Sequence, residues 1–187
     1  VDYLTRVLRQ PLNREEFEYA MGLIHVLDDL EKITDVLDRN VKFLIETKLS
    51  DGVEFSPRGR EELGLLRSTV IDLLRTAHKA LVQNDYCLAE EIVTRQPKVA
   101  ALIRDLRQTH VHRLTEGIKE SEATSNLHLE MLNSYHQISE LVRDIGFTIM
   151  EQLAKGKICF ASQKGTSRKW SGEAAAEAVN KEQVIRA

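Results

Sequence analysis

Leu27-Asp28-Asp29-Leu30-Glu31-Lys32-Ile33-Thr34-Asp35-Val36-Leu37-Asp38 decides the fold class, because its apolar residues recur every three or four positions and its acids fall between them. That is the period of an amphipathic α-helix and not of a strand. Extended outward, Leu23, Leu27, Leu30, Ile33, Leu37, Val41 and Leu44 form one apolar face. On the other side, Asp28, Glu31, Asp35 and Asp38 fall within an arc of about 80° at 100° per residue. Carboxylates stacked this closely repel one another by a few tenths of a kcal/mol per pair. Hard oxygen ligands in such an arc suit a divalent or trivalent cation. A solvated acidic face is the plainer alternative, and the spacing leaves both open.

The helix carrying this segment is predicted from Asn13, a good N-cap with Glu15 and Glu16 behind it, to about Lys48. Leu49 to Gly59, with Pro57, punctuates the chain. A second helix over 58–83 carries Leu63, Leu66, Val70, Leu73, Ala77 and Leu81 in register. A turn at Asn84-Asp85 leads to a third helix over 86–114, with a kink or break expected at Pro97. A fourth runs over 121–153. The chain therefore reads as all-α, an up-and-down helical bundle over 1–154, followed by a loosely structured basic tail over 155–187.

Composition narrows the class. Of 187 residues, 26 are basic and 29 acidic, a net charge of −3. The tail holds 7 basic and 3 acidic residues, so it is +4, and subtraction leaves the body at 19 − 26 = −7. This balance gives no electrostatic reason to expect nucleic acid as a partner. No apolar run approaches the ~18 residues that span a bilayer. Cys87 and Cys159 lack paired spacing and read as two free thiols, Cys87 among apolar neighbours. No His has Glu three residues before it, and HExxH, GxSxG and a phosphate-cradling Gly loop are missing, so no enzyme is expected. His110 and His112 read as capping or surface residues.

A shift of 105 residues exposes a weak internal repeat. Leu27 meets Leu132, Ile33 meets Ile138, Leu37 meets Val142 and Leu44 meets Ile149, while Glu31 meets His136 and Asp35 meets Glu140. His136 and Glu140 are thus a second pair of candidate metal ligands, or an ordinary exposed i,i+4 pair.

Leu30-Glu31-Lys32-Ile33-Thr34-Asp35 resembles the metal-binding E(D)-x-x-x-D motif of the PhoU family. With it, Asn84-Asp85, Ala89-Glu90-Glu91-Ile92, His110-Val111-His112-Arg113-Leu114 and Ser125-Asn126-Leu127-His128-Leu129-Glu130-Met131-Leu132 are similar to the PhoU-type domain at the cytoplasmic C-terminus of bacterial sodium/phosphate cotransporters. The resemblance covers about residues 1–150. It implies two tandem three-helix units, the first incomplete here because Val1 to Arg9 matches only the end of its second helix. It also implies a regulatory, non-enzymatic domain controlling phosphate transport at the cytoplasmic face of the inner membrane. Its partner would be the membrane domain of a parent transporter. Metal would bind at Asp28, Glu31, Asp35 and Asp38, with His136 and Glu140 as the altered second site, and iron, zinc, magnesium or calcium as candidates; no organic cofactor is implied. Thr34 and His136 depart from the family pattern. An uncovered Leu27, Leu37 and Leu44 would drive self-association. The reading from a different class is a structural helical dimerisation module without a ligand.

Overall fold

Capping residues set where the helices begin. In this computed structural model, which describes residues 2–117 and 119–155, a short α1 (Asp2–Leu8) precedes α2 (Arg14–Asp35). Asn13 caps α2 reciprocally: its Oδ1 accepts from the Glu16 amide at 2.9 Å and its own amide donates to Glu16 Oε2 at 2.9 Å. The helix continues through a π turn at Val36–Val41 into α3 (Lys42–Asp51), which ends on Gly52 at φ +64°. Ser56 then starts α4 (Pro57–Gln83), with Pro57 at its first position and the Ser56 hydroxyl accepting from the Gly59 amide. Asn84, at φ +48°, turns the chain, and the Asp85 carboxylate caps α5 (Tyr86–Thr115) through the amides of Cys87 and Leu88. A short α6 (Lys119–Ala123) leads to α7 (Ser125–Thr148), which closes in a second π turn at Ile149–Leu153.

The all-α bundle is as expected, with no strand among the described residues. Three details differ. The first predicted helix carries an internal π turn, and the fourth is divided at Thr124 into α6 and α7. Helix α5 passes Pro97 without a break, held by Gln96, Val99 and Ile103, which are buried on either side. A proline that loses one backbone bond is tolerated where packing on the flanking turns retains the helix.

Helices α4, α5 and α7 pack mutually around Leu66, Leu73, Ile92, Ile103, Leu106, Leu132, Ile138 and Ile145, all fully buried. Helix α2 docks on the outer side of α7 and on its terminal π turn. Asn84 fastens that end, its Nδ2 donating to the Leu153 carbonyl at 2.9 Å. The repeat therefore has two unequal copies. Leu132 and Val142 in α7 are 0% exposed, whereas their counterparts Leu27 in α2 and Leu37 in the π turn after it are 40% and 43% exposed. Leu30 is likewise open, so only Ile33 and Leu44 of the expected apolar face are buried, with Leu23 and Val41 partly so. The cover missing on Leu27 and Leu37 is as expected, and that on Leu44 is not: α3 brings it against α7.

The reading of Cys87 as a free thiol is corrected, since Cys87 is disulfide-bonded. Spacing along a sequence does not decide pairing, which depends on how near folding brings two sulfurs. Cys159 and most of the expected basic tail, 156–187, lie outside the described residues.

The core predicts its own sensitivity. Leu132→Ala removes a fully buried side chain from the contact between α4, α5 and α7, and should cost about 2–5 kcal/mol. Leu27→Ala, at the matching but half-exposed site, should cost less than half as much; urea denaturation of both variants measures the difference.

Candidate functional site

Two groups of polar residues bear on function, one at the surface and one inside. The surface group is the acidic arc on α2 and the π turn that follows it. Asp28 pairs with Lys32 at 2.6 Å, Asp35 with Arg39 at 3.3 Å and Asp38 with Lys42 at 3.2 Å, each one helical turn away. Asp29 shares Lys32 at 3.2 Å. Glu31 alone has no ion pair among the described residues. Repulsion along the arc is thus relieved by interleaved cations. The π turn beginning at Val36 also moves Asp38 off the line that an uninterrupted α-helix would give.

On α7, His136 Nδ1 lies 3.4 Å from Glu140 Oε2, an ion pair when the ring is protonated. Glu140 lines a surface groove between α2 and α7 with Lys32, Val36, Leu141, Arg143 and Asp144. Asn133, the counterpart of Asp28, instead accepts a hydrogen bond from Arg107 of α5. The six candidate ligands are therefore brought together only as neighbours along two helices. Among the described residues no three His, Cys, Asp or Glu side chains converge as a metal ion requires.

The inner group sits where the N-termini of α4 and α7 meet the C-terminal end of α5. Glu62 of α4 and Arg113 of α5, both 4% exposed, make a bidentate pair at 2.6 and 2.8 Å. His128 of α7 places Nε2 3.5 Å from Glu62 Oε2. Its ring stacks on His110 at a centroid distance of 4.5 Å and meets the Phe55 edge at 6.1 Å. His110 Nε2 lies 3.0 Å from the Ser125 hydroxyl, and its Nδ1 3.4 Å from Arg113. Ser121 donates to Ser56 at 3.3 Å, tying α6 to the start of α4. Gly59 packs closely beside this cluster: a Cβ there would come 3.1 Å from the Ser56 hydroxyl, a tight contact, and 3.5 Å from the His128 ring, an ordinary one.

The electrostatics follow from burial and charge. Burial pushes the Glu62 carboxyl up, but His128 and Arg113 outweigh it and hold the group below its ordinary value. His110 is driven down to about 4, chiefly by burial and further by the His128 and Arg113 charges. It is neutral at physiological pH. The expectation that His110 caps or decorates the surface is corrected, since it is 1% exposed while His112 is open to solvent and 3.5 Å from Glu116. A period of 3.6 could have placed His110 with Leu102, Ile103 and Leu106, but the helices that enclose it bring Ser125 and His128 from 15 and 18 residues away, which local spacing does not reveal.

No family model matches the chain. It is similar to two enteric proteins, each named "Putative inorganic phosphate export protein YjbB", from Salmonella typhimurium and from Escherichia coli K12. Each is 25% identical over 150 residues, which is 80% of this chain and 28% of the relative. The chain thus spans less than a third of the length of these relatives. No solved structure matches it. None of the helices among the described residues is long and apolar enough to cross a membrane.

The inner cluster sets an acid limit. Between pH 6.5 and about 4 the unfolded chain protonates His110 while the folded chain resists, so stability falls as pH falls through that window. Glu62, held low, adds stability present above its ordinary value of 4.5 and lost below it. His110→Gln should therefore flatten the decline between pH 6.5 and 4 in urea titrations. Glu62→Ala, which leaves Arg113 buried without its carboxylate, should cost about 3–5 kcal/mol at neutral pH.

Proposed function

We propose that this chain is a non-catalytic regulatory domain of a phosphate transport protein, acting by helix-to-helix contact with the rest of that protein. The observation that carries the reading is the likeness to phosphate export proteins over 80% of the chain, joined to an α2 face left half-open by its own bundle. The motif resemblance refines it to the cytoplasmic domain of a sodium/phosphate cotransporter at the inner membrane. The membrane domain of the parent protein is the proposed partner. Metal enters the proposal as a bridge: iron, zinc, magnesium or calcium held by Glu31 with Asp28, Asp35 or Asp38 and completed by ligands from outside the described residues, because the arc alone does not close on an ion.

Deleting this segment from the full-length parent should leave phosphate flux measurable but change its response to external phosphate; an unchanged response removes the regulatory reading. Metal content of protein prepared without chelator gives the second check. Enrichment should be lost in Glu31→Ala/Asp35→Ala, and no enrichment in the intact parent removes the bridge.

A structural dimerisation module is the second reading, favoured by the same open face, where Tyr19, Leu27, Leu30 and Leu37 are each roughly 40% exposed. Self-association through this face should appear in light scattering at micromolar concentration. Leu30→Asp/Leu37→Asp should abolish it without unfolding the chain, since neither side chain is buried; strictly monomeric behaviour overturns it.

A further inference from the structure

A second charged surface lies on α4. Arg60, Arg67, Ile71, Arg75, His78 and Val82 fall within an arc of about 80° that runs about 33 Å along the helix. All are solvent-exposed, Val82 by 70%. No ion pair is made at Arg60, Arg67, Arg75 or the neighbouring Lys79 among the described residues. Glu54 lies within electrostatic reach of Arg60 but is already held by Lys48 at 2.8 Å. The exposed acids of α4, Glu61 and Asp72, lie outside the arc on the α5 side, where Asp72 approaches Arg95 at 3.8 Å.

Contrast with α2 gives this surface its meaning. There three of the four arc acids are neutralised within one turn, whereas on α4 the cations are left open. Helix α7 stands between the two faces, packing against both α2 and α4. The arc on α4 thus offers unneutralised positive charge on a body that is net negative.

We propose that the α4 arc is a docking surface for an anionic lipid bilayer. The chemistry is that of an amphiphile. Ile71 and Leu74 floor a shallow, open depression rimmed by Arg75, His78 and Lys79, so hydrocarbon and anion binding sit side by side. A carboxylate-rich protein face would use the rim and leave the apolar floor idle. The cations lie along one exposed face of a single helix, so a flat sheet of headgroups meets them together. The proposal rests on the transport reading only in that such a parent keeps a bilayer within reach, and vesicle binding tests it without reference to phosphate.

The experiment is co-sedimentation of the full chain with phosphatidylcholine vesicles, with and without phosphatidylglycerol, at low and physiological salt. Binding should require phosphatidylglycerol and weaken as salt rises. Each basic side chain at such a surface is worth roughly fivefold in partitioning, so Arg67→Gln/Arg75→Gln should lose about thirtyfold. Both residues are exposed, so the variant should retain its helical circular dichroism and melting point. Lys164→Gln/Lys169→Gln, in the basic tail, should retain more binding than the α4 variant. Absence of binding to anionic vesicles, or binding that the α4 variant keeps, overturns the proposal. So does an equal or larger loss in the tail variant. Binding to poly-glutamate but not to vesicles also overturns it, and assigns the arc to an acidic polypeptide.

Discussion

The fold hinges on the Glu62–Arg113 pair. It joins the first turns of α4 to the last turn of α5, 51 residues apart, at the end of the bundle where α7 begins. Taking both charges out of water costs several kcal/mol per ion, and only near-ideal geometry recovers it. Two parallel hydrogen bonds of 2.6 and 2.8 Å supply that geometry. The arrangement constrains its surroundings. His128 approaches the same carboxylate, His110 stacks on His128 in neutral form, and a Cβ at residue 59 would lie tight against the Ser56 hydroxyl beside them. The relative height of α4, α5 and α7 is fixed by charge at this end, and by Asn84 reaching the Leu153 carbonyl at the other.

That explains which parts of the molecule were legible beforehand. Apolar periodicity located α4, α5 and the long α2 to within a few residues, because a period of 3.6 is local and burial follows it. The repeat likewise picked out α7 as the segment whose apolar pattern echoes that of α2. The π turn at Val36–Val41, the break at Thr124 and the bond at Cys87 were not legible, since each depends on contacts made only after the helices pack. Glu62 reads in the sequence as one more surface acid in Arg-Glu-Glu-Leu. Its burial is decided by Arg113 and His128, and no spacing rule connects positions so far apart.

The unequal repeat has an energetic consequence. Fully covered, Leu132 and Val142 each contribute the burial of a whole side chain, while Leu27 and Leu37 forgo roughly half of theirs. A helix left in that condition stays folded because Ile33, Val26 and Leu44 anchor its inner edge and the Asn13–Glu16 box secures its start. It also leaves an apolar strip beside a row of acids. The strip supplies affinity for whatever covers it; the acids add little, because a carboxylate already paired with Lys32, Arg39 or Lys42 must give up that partner to gain another.

The same reasoning separates the two charged faces. A charge contributes to recognition by the difference between its bound and free surroundings, not by its presence. On α2 that difference is small for Asp28, Asp35 and Asp38, whose cations lie one turn away, and only Glu31 enters a contact unencumbered. On α4, Arg67, Arg75 and Lys79 exchange only water and mobile ions for a partner, so the full attraction is available, reduced by screening over about 8–10 Å. Counting residues would rank the acidic face first, since it belongs to a body of −7. Counting free charges reverses the order and makes the basic ridge of α4 the more electrostatically competent surface of the domain.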